Sequence, residues 1–363
     1  MKAIDSEFVE NLAIGASLLG AGGGGDPYIG KLLALEAIET FGSPKLIDHL
    51  AVPDDAMCVM VASMGAPTVA IERLPSGDEL HNAILSLQRY INKSITHLVG
   101  LEIGGMNSML PIVSAARTQL PLVDCDAMGR AFPELQMCTP SLFGKSTSPM
   151  VLADENGNTV VIDSTCNLKT ERIARQITIE MGAVSYIALY PLSGKELKET
   201  VIPGTISLAK DIGYEMSITR AKGDDVLNSL LRLTKGIQLF EGKITDVDRK
   251  TQDGFARGTV ELTGYGNYLK DKLKVSFQNE NLIAELNGRV VATVPDLICF
   301  VAPNTCRPIT TEELRYGLRV VVIGIPCDFR WRSERGLQLV GPNCFGYDLK
   351  FTPVEKKVRQ FVR

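Results

Sequence analysis

Acidic side chains recur where apolar runs stop. Glu102 follows His97-Leu98-Val99-Gly100-Leu101, Asp124 and Asp126 follow Leu120 to Val123, and Glu134 closes Gly129-Arg130-Ala131-Phe132-Pro133-Glu134. Asp124 and Asp126 are two apart, so an extended backbone would place them on one face. Converging carboxylates can share a proton, hold a divalent ion, or act as a general acid and base pair. Asp124, Asp126, Glu102 and Glu134 are therefore the candidate catalytic residues. If a divalent metal takes part, Asp124, Asp126 and Glu102 are the set expected to hold it; the sequence leaves open the choice between ion and proton. A single acid after a strand is more simply a helix cap, but four at one rim favour chemistry.

The second signal is glycine. In Gly20-Ala21-Gly22-Gly23-Gly24-Gly25-Asp26-Pro27, five of the first six residues are Gly. Such a backbone can approach a ligand closely. Gly20, Gly22 and Gly25 have the spacing of a dinucleotide fingerprint, yet they follow a predicted helix instead of a strand. Gly25 to Lys31 approximates a phosphate loop, but Leu32 stands where a hydroxyl residue should be. Pro27 also lacks an amide, and Asp26 would repel phosphate. No nucleotide cofactor is expected. Gly104-Gly105 with Asn107 makes a second tight turn. The candidate binding set is thus Gly22, Gly23, Gly24, Gly25, Asp26, Gly104, Gly105 and Asn107. Backbone amides at either turn would hold a developing anion, and Arg130 or Arg332 would orient a substrate carboxylate.

Other chemistry is thin. His49, His81 and His97 have no zinc-ligand spacing. Ser63 lacks the preceding glycine of a nucleophile elbow. Ser207 and Lys210 form a pair too short to carry weight. Cys125, between two acids, would be a poor thiolate.

These residues need elements to position them. Asp5 or Ser6 can cap a helix carrying Phe8, Leu12 and Leu19, and Asp26-Pro27 starts another. The apolar runs 57–62, 97–101 and 120–123 alternate with helical segments, predicting a largely parallel sheet covered on both faces. Asn156-Gly157 marks a hairpin over 151–163, and a helix is expected over about 168–181. From about Lys243 short alternating strands suggest a sandwich or barrel. The fold expected is α/β plus β: a three-layer α/β domain over 1–165 and a β-rich domain over 166–363.

Composition narrows the class. At 363 residues, about two domains are expected. Lys plus Arg is 38 against 42 Asp plus Glu, a net charge of −4 that argues against a nucleic-acid partner. No run of 18 apolar residues predicts a membrane span. Asp5, Glu7 and Glu10 interrupt any export signal, and eight cysteines without CxxC read as reduced thiols. A cytoplasmic location is expected.

Five segments resemble the S-methyl-thiohydantoin desulfurase-like family: Gly20 to Tyr28, Glu102 to Ser108, Asp124 to Met137, Gly254 to Gly264 and Val294 to Ile298. They run in order along nearly the whole chain. The resemblance implies an N-terminal α/β domain, a C-terminal β-rich domain, and hydrolytic removal of a methylthio group from a five-membered heterocycle. It also implies a link to hydantoinase and oxoprolinase systems. Two expectations follow. The first is a hydrolase that binds a hydantoin-like ring between the glycine loop and the strand ends, with water activated by Asp124 or Asp126. The second is an accessory subunit of a hydantoinase-type complex. An ATP-dependent ring opener is weaker, since no phosphate loop is intact. The expected partners are a small heterocyclic substrate and either further copies of the chain or a hydantoinase-type subunit.

Overall fold

The run Met57-Cys58-Val59-Met60-Val61-Ala62 has no polar face, so it is stable as a strand only with both sides covered. A computed structural model, describing residues 2–25, 27–65, 75–252 and 255–357, places it centrally. The described strands before residue 204 are β1 (Lys2–Ala3), β2 (Lys45–Ile47), β3 (Met57–Gly65), β4 (His97–Gly100), β5 (Leu122–Val123), β6 (Cys125–Asp126), β7 (Met150–Ala153), β8 (Thr159–Ile162), β9 (Val184–Ser193) and β10 (Ile202–Pro203). Eight form one sheet in the order β1-β2-β5-β4-β3-β9-β7-β8, while β6 pairs with β10. The pairs β2/β5, β5/β4 and β4/β3 are parallel. The other half is antiparallel, because β9 runs against β3 and receives the β7–β8 hairpin. The sheet is mixed, with its parallel part where helices alternate with apolar runs.

Helices α1 (Ser6–Leu19) and α2 (Pro27–Phe41) flank the glycine bend. Asp5 caps α1 by accepting the Phe8 N–H at 2.8 Å. α1 crosses the helix Thr205–Lys222 very closely. A Cβ at Gly15 would lie 1.8 Å from the Ala209 carbonyl oxygen, and one at Gly213 1.9 Å from that of Asn11. Only glycine permits this crossing.

The second sheet comprises β11 (Ile237–Gln252), β12 (Phe255–Gly264), β13 (Lys272–Gln278), β14 (Glu280–Leu286), β15 (Arg289–Thr293), β16 (Leu297–Val301), β17 (Pro308–Ile309) and β18 (Arg319–Ile325). It is an eight-stranded antiparallel curled sheet in the order β15-β14-β13-β12-β11-β18-β16-β17. Phe240, Val260, Leu262, Val275, Phe300 and Val322 belong to its own core. The fold is two-domain α/β plus β. Residues 167–234 are helical apart from β9 and β10, and β9 lies in the first sheet, so that sheet draws on residues from both sides of position 165. Among the described residues no helix is long and apolar enough to cross a membrane.

The sheets meet at the glycine bend. Asn281 N–H donates to the Ala21 carbonyl at 2.9 Å, and Thr311 N–H to that of Gly22 at 3.0 Å. Arg130, fully buried, donates to the carbonyls of Pro295 and Asp296, both at 3.0 Å. Trp331 Nε1 donates to the Met128 carbonyl at 2.7 Å.

Candidate functional site

Parallel strands β3 and β4 end side by side, the position where open α/β sheets bind ligands. The end of β3 brings Ser63; the turn after β4 brings Glu102 and Asn107. Asn107 Oδ1 accepts both the Ser63 N–H and the Ser63 hydroxyl at 2.8 Å. Its Nδ2 donates to Glu102 Oε1 at 2.6 Å, and Phe132 N–H donates to Glu102 Oε2 at 3.2 Å. The two ends of the Asn107 amide thus fix Ser63 and Glu102 relative to each other. Burial pushes the Glu102 carboxyl up to about 7, although these hydrogen bonds and the Arg130 charge oppose the rise.

The glycine bend forms the adjoining wall. Gly22, Gly24 and Gly25 have φ of +99°, +85° and +82°. A Cβ at Gly24 would lie 2.4 Å from the Gly104 carbonyl carbon, and one at Gly23 2.0 Å from Glu280 Oε1. The bend is wedged between the Gly104-Gly105 turn and the second sheet, which explains the concentration of glycine. Among the described residues, the amides of Gly24 and Gly25 have no hydrogen-bond acceptor, and both residues line the cleft.

The second sheet delivers Glu280, which is 2% exposed. Its Oε2 is buried with no hydrogen-bond partner. Burial drives its carboxyl well above the ordinary range; Glu102 adds to the rise and Arg130 opposes it. The cleft lined by Ser63, Glu102, Asn107, Gly24, Gly25 and Glu280 has a volume of about 80 Å³. One water needs roughly 10–15 Å³ on this measure, so a single small ring fits and an extended chain does not. Arg175 also lines it, held to Glu171 Oε1 at 2.6 and 2.8 Å and stacked 4.3 Å from the Phe255 ring.

Of the residues expected from sequence, Glu102, Glu134, Asn107, Gly24 and Gly25 line the cleft. Gly22 and Gly23 face Asn281, Thr311 and Glu280, and Gly104 and Gly105 back the bend. Asp126 does not line the cleft; its Oδ2 accepts the amides of Ile103, Met128 and Gly129 at 2.9, 3.1 and 2.7 Å. Asp124 is turned away, accepting the Ser207 N–H at 3.0 Å and hydroxyl at 2.6 Å. The expected metal set is therefore not assembled, because, of its three carboxylates, only Glu102 lines the cleft. Among the described residues no group of three or more His, Cys, Asp or Glu side chains could hold a metal. Arg130 and Arg332 also stand off the cleft. Arg130 joins the sheets as described, and Arg332 pairs with Asp296 at 3.0 Å and with Glu355. Asp26 lies outside the described residues.

Glu280 and Arg175 have no counterpart in the sequence expectations. One local signal marks Glu280: Gln278-Asn279-Glu280-Asn281 interrupts apolar alternation with four polar residues, where a plain hairpin needs only a two-residue turn.

Residues 7–164 match the family model described as S-Me-THD-like, N-terminal domain, and residues 165–354 match S-Me-THD-like, C-terminal domain. A crystal structure of a protein from Chromobacterium violaceum has the same fold, with a TM-score of 0.83 and 23% identity, over 98% of this chain and 100% of that one. No curated protein matches the chain.

Proposed function

The chain belongs to the S-Me-THD-like family, and from that premise we propose that it hydrolyses the C–S bond of an S-methyl-thiohydantoin-like ring, with Glu102 as general base and Glu280 as general acid. Family membership supports a hydantoin-related function. One observation carries the finer reading: two buried carboxylates line one ring-sized cleft, in environments that separate their proton affinities. Such separation divides acid from base.

Glu102, the lower of the two, takes a proton from water as the oxygen attacks the ring carbon bearing sulfur. Electron density moves onto the adjacent ring nitrogen and its carbonyl oxygen, where the Gly24 and Gly25 amides supply donors. Glu280, neutral, gives its proton to sulfur as the C–S bond breaks and methanethiol leaves. The second water proton passes to the ring nitrogen, leaving a hydantoin carbonyl. Transfer from Glu102 to Glu280 restores both groups. Asn107 holds Glu102 and Ser63 in place throughout.

Methanethiol release from 2-methylthio-hydantoins, followed with a thiol reagent, tests this. Glu102→Gln and Glu280→Gln should each lower kcat by about 100-fold. A more acidic thiol leaving group should rescue Glu280→Gln and not Glu102→Gln. The proposal fails if no ring is turned over or bound; turnover only after adding a hydantoinase-type subunit would assign the chain an accessory role.

A further inference from the structure

A second and much larger cavity, about 870 Å³, lies where four segments meet: α1, the first turn of α2, the end of the helix Thr205–Lys222, and residues 307–315. This is within the usual range for a small-molecule site, and such sites favour domain junctions. One stripe of α1 forms a wall, since Glu10, Ala13, Ile14 and Ser17 fall at helical spacing. Ala13 and Ile14, with Pro27 and Pro308, give an apolar floor.

The charges around the floor are of both signs. Arg307 and Glu313 neutralise each other at 2.8 Å, and Arg220, also on the lining, donates to the Thr305 carbonyl at 2.7 Å. Lys31 and Arg315 line the cavity and have no carboxylate partner among the described residues. The Lys31 ammonium lies 5.1 Å from the centre of the Tyr28 ring. Glu10 and Glu312 supply carboxylates on the same cavity. A simple anion would meet those acids, and a simple cation would meet Lys31 and Arg315. A molecule carrying both charges on an apolar body meets cations and acids together, and the volume admits a body larger than one residue.

We propose that this cavity binds a zwitterionic apolar compound of dipeptide size, with its carboxylate on Lys31 and Arg315, its ammonium on Glu10 and Glu312, and its side chains on Ala13 and Ile14. The site is separate from the catalytic cleft and does not depend on the chemistry assigned there.

Calorimetric titration of the full chain with L-leucyl-L-leucine tests it. N-acetylation or C-terminal amidation of the probe, each deleting one charge, should weaken binding by roughly tenfold. Lys31→Ala combined with Arg315→Ala should weaken the free dipeptide by a similar factor and leave the amide unchanged, since the amide lacks the carboxylate those cations hold. Glu102→Gln should bind the dipeptide like the parent chain, which keeps this result apart from any failure of the hydrolase reading. The proposal is overturned by no saturable binding up to roughly 10 mM, or by an equal effect of the double variant on dipeptide and amide.

Discussion

Replacing Glu102 with Gln separates what this residue does for catalysis from what it costs the fold. Burial raises its carboxyl from the ordinary 4.5 to about 7. A carboxyl held above its ordinary value binds its proton more tightly folded than unfolded. Below 4.5 both states are protonated and nothing is lost. Between 4.5 and about 7 the unfolded chain ionises first, so stability falls as pH rises. Above about 7 the full penalty applies, and at 1.36 kcal/mol per pH unit the interval is worth about 3 kcal/mol. Gln carries no such penalty. It can accept only one of the two hydrogen bonds that Glu102 takes from Asn107 and Phe132, which costs about 1–2 kcal/mol at every pH. That fixed loss cancels when the variant is compared with the parent across pH. Urea unfolding of both chains should show the variant gaining about 3 kcal/mol relative to the parent between pH 4.5 and pH 8, while its kcat collapses. A stability difference that changes by less than about 1 kcal/mol over that interval would refute a desolvated Glu102, and the general-base assignment with it.

Gly24 and Gly42 both have positive φ, +85° and +89°, but an added Cβ meets Gly104 backbone at the first and nothing within 4 Å at the second. Chemical denaturation should therefore find that Gly42→Ala costs about 1 kcal/mol and Gly24→Ala about 3 kcal/mol or more. Asp124→Asn should cost about 1 kcal/mol through its Ser207 contacts and lower kcat by less than about threefold. A loss as large as that of Glu102→Gln would return the chemistry to the acid pair.

Much was determined locally and could be read from the chain alone. The capped start of α1, the glycine bend before Pro27, the three apolar runs and the Asn156-Gly157 hairpin follow from propensity, periodicity and turn chemistry, which act over a few residues. What the tertiary structure decided was which carboxylates reach the cleft, since Asp126 is as buried as Glu102 and burial raises its carboxyl likewise to about 7. Asp124, Asp126 and Glu102 look alike in sequence. Yet Asp124 finds Ser207 from a distant helix and Asp126 finds three nearby amides, while Glu102 alone faces the cleft. Its counterpart Glu280 comes from 178 residues further along, carried on a strand of the other sheet. Which side chain reaches a cleft depends on what packs around it from every direction, and those neighbours are brought in by long-range pairing that no local pattern encodes.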